Sequence, residues 1–594
     1  MPWLWLLIEL FVELLAVWTL VVHGAMALGT PAWWAWPAFF VVALVLAFAA
    51  RGRLSAARQA DAAELRFALS VLGLGGIAAL PALVLLTPSG DDFNFFHRAF
   101  WQVAHLGEPF ALGDTAFGVP GLAAISPLHA ITTWEFGLAL AGRALGLDAL
   151  GVYHNGAVVL GNGLVAAVVG LWLRELGFGA RAALAGVVAS LAFFYLDDPS
   201  IRSWAIAYRM LWVGKMVQWL VVLPAALLFA WRYLRAPSVA RLWHPAACAV
   251  CAVATSGTGV FLLPGVFAAA SLAGVALGPF GWHRVWLCGL LNVASLYCFG
   301  VAGLVLAGVL PQPEDMRAWT EGFPSHWLEN LALVVPHPGV LVRNTFLALA
   351  VPAVLLRGAP RNFLVGFGLA LIVIFLNPLT GPRWLSAAQP GSYWRVMLLF
   401  PVPLGAGIAC AAWVSSRPSR RVALGMAVLV AASLAAPWIA RPTGFAFMQH
   451  RYEWKLPLEV RLPATELRFV RRARAELEGR SLLAAQGVSV TAALTVPGLR
   501  IEAARLQDTR HVFSNAGNPN EGIRRLKAWD WASRCDGTTG EAAARISLEQ
   551  GVDAFIGVDC GAGEAARRQP VLQHDGARFV EVLREDGYVL YLRR

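Results

Sequence analysis

The chain has 594 residues, 58% of them hydrophobic and only 14% charged, against roughly 25% charged in a soluble domain. That balance excludes a soluble globular protein for most of the length and points to a polytopic membrane protein. The formal net charge of +11 does not mark a nucleic-acid binder, because much of the Lys and Arg falls in short loops between apolar runs, where positive charge marks the cytoplasmic side.

Apolar runs of spanning length recur along the chain, about thirteen in all. The first, residues 3–28, is too long for the apolar region of a cleaved signal and reads as a retained helix. The others are expected at 32–50, 67–86, 152–173, 182–195, 211–231, 245–255, 260–277, 285–309, 340–356, 363–375, 396–414 and 422–439. Many of the 25 Trp sit at the ends of these runs, where amphipathic rings anchor at the headgroup level.

Arginines cluster in alternate loops: Arg51, Arg53, Arg58 and Arg66; Arg174 and Arg181; Arg232, Arg235 and Arg241; Arg284; Arg357 and Arg361; Arg417, Arg420 and Arg421. One orientation satisfies all of them, with the N-terminus cytoplasmic and the loop after residue 86 outside. Ser256-Gly257-Thr258-Gly259 reads either as an outside turn between two short helices or as a break in one long helix, and that choice sets the side of everything downstream. Three parts follow: residues 1–66, two N-terminal helices and a basic cytoplasmic loop; 67–440, the helical core with its first outside loop at 87–151; and 441–594, a polar domain expected on the periplasmic side.

The polar domain alternates helix and strand patterns, as a small α/β sandwich does. Helices are expected at 467–478 and 541–550. Strands are expected at 481–485, 488–494, 554–558, 579–583 and 588–591. If the domain lies outside the cytoplasm, Cys535 and Cys560 can form one disulfide. Cys248 and Cys251 have CxxC spacing but sit in an apolar helix pattern without a partner pair, so packing is their expected role.

The chemistry-bearing feature is Asp91-Asp92, just after an apolar run and at the head of a long outside loop. Carboxylates at a membrane boundary are costly to desolvate and are functional candidates where a cavity forms. Phe96, Ala99, Phe100 and Val103 recur at helical spacing after them, with His97, Arg98, Gln102 and His105 elsewhere on the wheel, an amphipathic helix suited to the interface plane. A second interfacial helix is expected at 132–145, carrying Glu135 and Arg143. The plain alternative is that Asp91 and Asp92 merely cap a helix start, where Asp is favoured.

The order of a helix, an acidic pair, an amphipathic helix, a turn region and Ser126-Pro127-Leu128-His129 leading into another interfacial helix resembles the first half of the GT-C glycosyltransferases, polytopic enzymes that use polyprenyl-phosphate sugars. The pattern is similar to the aminoarabinose and protein-mannosyl transferase type, whose loop begins Asp-Glu-x-x-Tyr. Asp91 matches the first acid and Asp92 the second, as Asp for Glu, whereas Phe95 stands at the Tyr position and two helices precede the matching core. The resemblance covers about residues 67–173. The segment Tyr393-Trp394-Arg395 and the C-terminal domain resemble bacterial membrane proteins of this general layout.

The resemblance implies an α-helical polytopic enzyme of the cytoplasmic (inner) membrane. It would transfer a sugar from a polyprenyl-phosphate donor, with inversion, to a lipid, glycan or protein acceptor in the cell envelope. Asp91 is then expected as general base, since the acceptor hydroxyl must lose a proton as it attacks. Asp92 would assist it or, with Asp91, hold a divalent cation such as Mg or Mn. The lipid phosphate requires cations at the outer boundary: Arg395 first, then Arg202, Arg209 and Lys215. His97, Arg98, His129, Glu135 and Tyr393 complete the expected substrate contacts. Three other classes stay open: a transporter or flippase of lipid-linked saccharide, an envelope polysaccharide polymerase, and a catalytically silent assembly protein.

Overall fold

The computed structural model describes residues 1–59, 61–86, 91–119, 122, 129–197, 208, 210–275, 282–309, 326–332, 338–388, 393–415, 453–454, 460–504, 509–510, 512–513, 518–535, 540–573 and 579–594. In chain order the helical part comprises α1 (Pro2–Leu28), a shorter apolar helix Ala32–Phe48, α2 (Ala62–Val84), the two non-spanning helices α3 (Asp91–Ala104) and α4 (Trp134–Ala144), α5 (Ala149–Glu175), α6 (Ala180–Leu196), α7 (Gly214–Arg235), α8 (Val239–Thr255), α9 (Gly259–Val275), a pair Trp282–Val293 and Leu296–Leu306 bent by 48°, α10 (Val340–Leu355), α11 (Gly358–Phe375) and α12 (Trp394–Ser415). Helices therefore stand at twelve of the positions expected from apolar runs; the run at 422–439 lies outside the described residues. Among the described residues, length and composition qualify six of them as membrane spans, or seven with the bent pair, so the count of about thirteen is not confirmed; the remaining apolar helices are shorter. This is a membrane protein by those spans.

The bundle has two distinct ends. At one, the basic loops are tied by ion pairs: Arg53 to Glu13 at 2.7 Å and Glu9 at 3.2 Å, Arg232 to Glu9 at 3.2 Å, and Arg174 to Glu64 at 2.7 Å. At the other, Trp18 and Thr19 of α1 reach the loop before α4, with the Trp18 indole donating to the Thr133 carbonyl at 3.0 Å. The segment at 256–258 is a turn between α8 and α9 at this second end, closed by Gln218, whose amide nitrogen donates to the Ala252 and Ser256 carbonyls while its oxygen accepts from the Thr258 hydroxyl. Lipid offers no hydrophobic gain for helix pairing, so close backbone approach does that work. Between α6 and α12, a Cβ on Gly186 would stand 2.7 Å from the Gly407 carbonyl oxygen, so only glycine fits there.

The C-terminal domain is a five-stranded mixed sheet, β3 (Ser481–Ala484), β4 (Arg500–Ile501), β5 (Ala554–Val558), β6 (Phe579–Glu585) and β7 (Tyr588–Arg593), in the order β4-β3-β5-β7-β6. Helices α13 (Ala464–Leu477), α14 (Val488–Thr495), α15 (Pro519–Ser533), α16 (Glu541–Glu549) and α17 (Ala562–Leu572) cover it. Alternating residues feed opposite faces: Leu482, Ala554 and Ile556 join one core, Leu483 and Phe555 the other. The strand expected at 488–494 is instead helix α14. Its β-branched residues favour a strand locally, but β3 and β4 run parallel, and a parallel pair needs a crossover helix between its strands. Gly487, at φ 78°, turns the chain into it.

Cys535 and Cys560, 25 positions apart in sequence, form a disulfide with their Cα atoms 5.6 Å apart. Replacing both by Ser should lower the stability of this domain by about 2–4 kcal/mol, mainly by releasing loop entropy in the unfolded chain. Urea unfolding of the full chain followed by tryptophan fluorescence would check it, since Trp531 packs in that core; an unshifted midpoint would refute it.

Candidate active site

Asp91 and Asp92 are the first two residues of α3, where their main-chain N–H groups face the start of the helix. Their side chains, with that of Asn94, lie outside the described residues. One turn on, Phe95 meets two other segments. The His129 ring centroid lies 4.5 Å from its own, and the Lys215 ammonium stands 5.9 Å from it on the α7 side. Residues from three separate segments thus meet beside the acidic pair.

The start of α7 is held there by α4. Glu135, 1% exposed, accepts the Gly214 N–H at 3.0 Å, and the Trp134 indole donates to the Trp212 carbonyl at 3.0 Å. Gly214 allows this approach: a Cβ would lie 2.5 Å from the Thr255 carbonyl oxygen and 2.8 Å from Glu135 Oε1. Glu135 is a positioning group, since its carboxylate fixes the backbone next to Lys215. Four residues beyond Lys215, the Trp219 ring lies 5.6 Å from the Arg395 guanidinium, which also covers Trp394 at 4.8 Å. The turn after Lys215 is π-helical, Gln218–Val222, a local widening often found at functional sites.

Other expected contacts have polar atoms engaged within the protein. The polar residues of α3 are buried rather than lying at an open interface: His97 is 4% exposed and Gln102 3%. Loop backbone and the C-terminal domain cover that side. His97 Nδ1 meets the Thr115 hydroxyl at 3.2 Å, and the Gln102 amide oxygen accepts from the Ala111 N–H at 2.9 Å. Burial pushes the His97 ring down to about 4, so it is neutral near pH 7. Arg98 donates to the carbonyls of Ala111 at 3.0 Å, Thr132 at 3.4 Å and Ala130, which folds the loop around α3. Burial lowers its guanidinium to about 10 against the pull of Glu135, leaving it charged. Tyr393 is fully buried and its hydroxyl donates to the Phe375 carbonyl. Arg202 and Arg209 lie outside the described residues.

Two features were not legible as site residues. Asp197, the first of a second acidic pair at the end of an apolar run, forms a buried ion pair with Arg343 at 2.6 Å; its likeness to Asp91-Asp92 was the available signal. Arg461, 1% exposed, places its guanidinium 4.1 Å from the Trp212 ring, and its N–H donates to His154 Nδ1 at 2.9 Å. Nothing in the local pattern announces that pairing across more than three hundred residues.

Among the described residues no three His, Cys, Asp or Glu side chains gather to hold a metal ion.

No protein-family model matches the sequence, and no curated protein is similar to it. Among solved structures, the chain is similar to the arabinofuranosyltransferase AftD from Mycobacteria, at 15% identity and a TM-score of 0.47, over 88% of this chain and 41% of that one. It is also similar to the oligosaccharyltransferase of Archaeoglobus fulgidus in its apo form, at 12% identity and a TM-score of 0.45, over 86% of this chain and 72% of that one. The same enzyme with an inhibitory peptide and a dolichol-phosphate matches at 10% identity and a TM-score of 0.42, over 90% and 75%. The chain thus spans about two fifths of the arabinofuranosyltransferase. With TM-scores below 0.5, these likenesses carry no argument about the site.

Proposed function

We propose that this chain is an inverting membrane glycosyltransferase of the GT-C type. It moves a sugar from a polyprenyl phosphate to a lipid, glycan or protein acceptor on the periplasmic side of the bacterial cytoplasmic membrane. The observation that supports it is the meeting, beside the helix that opens with Asp91 and Asp92, of Phe95, His129 and the Lys215 ammonium at one end of the bundle. A base and a cation brought to the same end of the bundle suit a reaction that removes a proton and releases a phosphate.

Asp91 takes the proton of the acceptor hydroxyl as its oxygen attacks the anomeric carbon, with Asp92 assisting. The bond from that carbon to the phosphate oxygen breaks, and the polyprenyl phosphate leaves with the electron pair. Lys215 and Arg395, with Arg202 and Arg209, neutralise the phosphate. The apolar rings of Phe95, Trp219 and Trp394 exclude water from these charges and so strengthen their attraction.

The test is transfer by the purified, detergent-solubilised protein, given a panel of radiolabelled polyprenyl-phosphate sugars and a membrane extract. Label reaching an acceptor would support the reading; no transfer with any donor, together with saccharide flipping in liposomes, would replace it with transport. Lys215→Met should raise the donor KM by about tenfold, the loss of one charge-assisted contact to phosphate, with a smaller change in kcat. A donor KM equal to wild type would remove Lys215 from the phosphate site.

A further inference from the structure

Helix α3 is gripped by two different cores. Phe95, Phe96, Ala99 and Val103 belong to the core of the helical bundle. Phe93, 3% exposed, belongs instead to the core of the C-terminal domain, along with Ala116, Phe117 and Leu122 of the same outer loop. The rings form a chain: Phe93 to Phe117 at 6.2 Å between centroids, and Phe117 to Phe513 of the domain at 5.6 Å, both edge to face. Phe513 is 2% exposed and is itself covered by the Arg525 guanidinium at 4.7 Å.

The backbone is tied at the same place. The Ile501 N–H, on edge strand β4, donates to the Ala116 carbonyl at 2.8 Å. The turn that presents Ala116 and Phe117 is fixed by Asp114, whose carboxylate accepts their N–H groups at 3.1 and 2.8 Å. On the other side of the acidic pair, strand β1 (Leu85–Leu86) pairs antiparallel with β2 (Glu453–Trp454), which precedes the domain. Leu86 and Phe93 bracket Asp91 and Asp92, and both are held by the C-terminal part of the chain.

We propose that the C-terminal domain is the positioning element of the acidic pair, with Phe513 acting through Phe117 and Phe93 to set the first turn of α3. The role deepens the catalytic reading of Asp91 and rests on it. A base displaced by about 1 Å from its reacting hydrogen costs roughly a hundredfold in rate. The first turn has a further reason to need outside support: its leading N–H groups have no partner within the helix. The ring chain from Phe513 through Phe117 to Phe93 includes none of the cations expected to hold the phosphate, so the effect expected of it falls on the transfer step rather than on donor affinity.

The experiment uses the full chain in detergent or nanodiscs and compares wild type, Phe513→Ala, Phe513→Leu, Phe117→Leu and Asp91→Asn, with kcat and donor KM measured separately. Phe513→Ala should lower kcat by about a hundredfold with the donor KM unchanged, Phe117→Leu should lower it less, and Phe513→Leu should restore most of the rate. A wild-type kcat in Phe513→Ala and Phe117→Leu, beside an inactive Asp91→Asn, would overturn the positioning role alone. A fully active Asp91→Asn would overturn the catalytic reading beneath it. Hydrogen exchange supplies a readout that needs no activity and no fully stable variant. In Phe117→Leu the amides of Phe95, Phe96 and His97 should exchange faster, while those nearer the end of α3 keep their protection. Equal protection at both ends would refute the proposal whatever the kinetics show.

Discussion

Replacing Asp91 by Asn is expected to lower kcat by about 10²–10⁴-fold, the range that a positioned general base contributes, while the protein keeps its fold. The substitution is close to isosteric and isolates the proton-accepting role. Asn is as good as Asp at a helix start, because its side-chain oxygen still accepts from the leading N–H groups. If Asp91 merely capped α3, Asn would serve equally well and the rate would hardly change. The measurement is transfer of labelled sugar by wild type and variant at matched melting temperature. A retained rate would leave only the capping role for this residue.

The largest stability effect is expected at the other acidic pair. Asp197 and Arg343 are both almost fully buried and lie 2.6 Å apart. Asp197 follows the last turn of α6, where the helix dipole disfavours a negative charge, so its guanidinium partner does more than neutralise a buried carboxylate. Arg343 is also fixed by the Asn344 side-chain oxygen, at 3.1 Å from Nε and 3.0 Å from Nη2, and lies over the Phe193 ring. Arg343→Ala should cost about 3–5 kcal/mol, the usual effect of removing one member of a buried pair. Removing both charges, with Asp197→Asn added, should cost clearly less than Arg343→Ala alone, because no buried carboxylate then remains. Thermal unfolding in detergent would check both variants. Equal melting of Arg343→Ala and wild type would mean that water or another group replaces the guanidinium at no cost. The pair joins the end of α6 to α10.

Much of the layout is legible from the chain alone, because it depends on local composition. Apolar runs place the helices to within a few residues, as at Ala180–Leu196 against the expected 182–195. The arginines collect at the basic end, and alternation marks β3, β5, β6 and β7. The acidic pair at the start of an amphipathic helix is equally local, since Asp at a helix start and apolar residues at helical spacing are both read over a few positions. The cysteine pair was readable as one possible disulfide.

What the sequence by itself determined is therefore a membrane bundle followed by an α/β domain, with Asp91 and Asp92 at the start of a helix after an apolar run. Only the tertiary structure decided which polar groups of distant segments meet. His97, Arg98 and Tyr393 share the residue types of a binding site, yet each has its polar atoms engaged by a loop hydroxyl or by backbone carbonyls. Lys215 lies 120 residues from Phe95 in the chain but beside it in space, and Leu85 pairs with Trp454. The physical reason is the same in each case. Periodicity and capping report interactions within a turn or two, whereas buried hydrogen bonds and ring contacts between distant segments depend on how whole elements pack, and that packing leaves no local pattern.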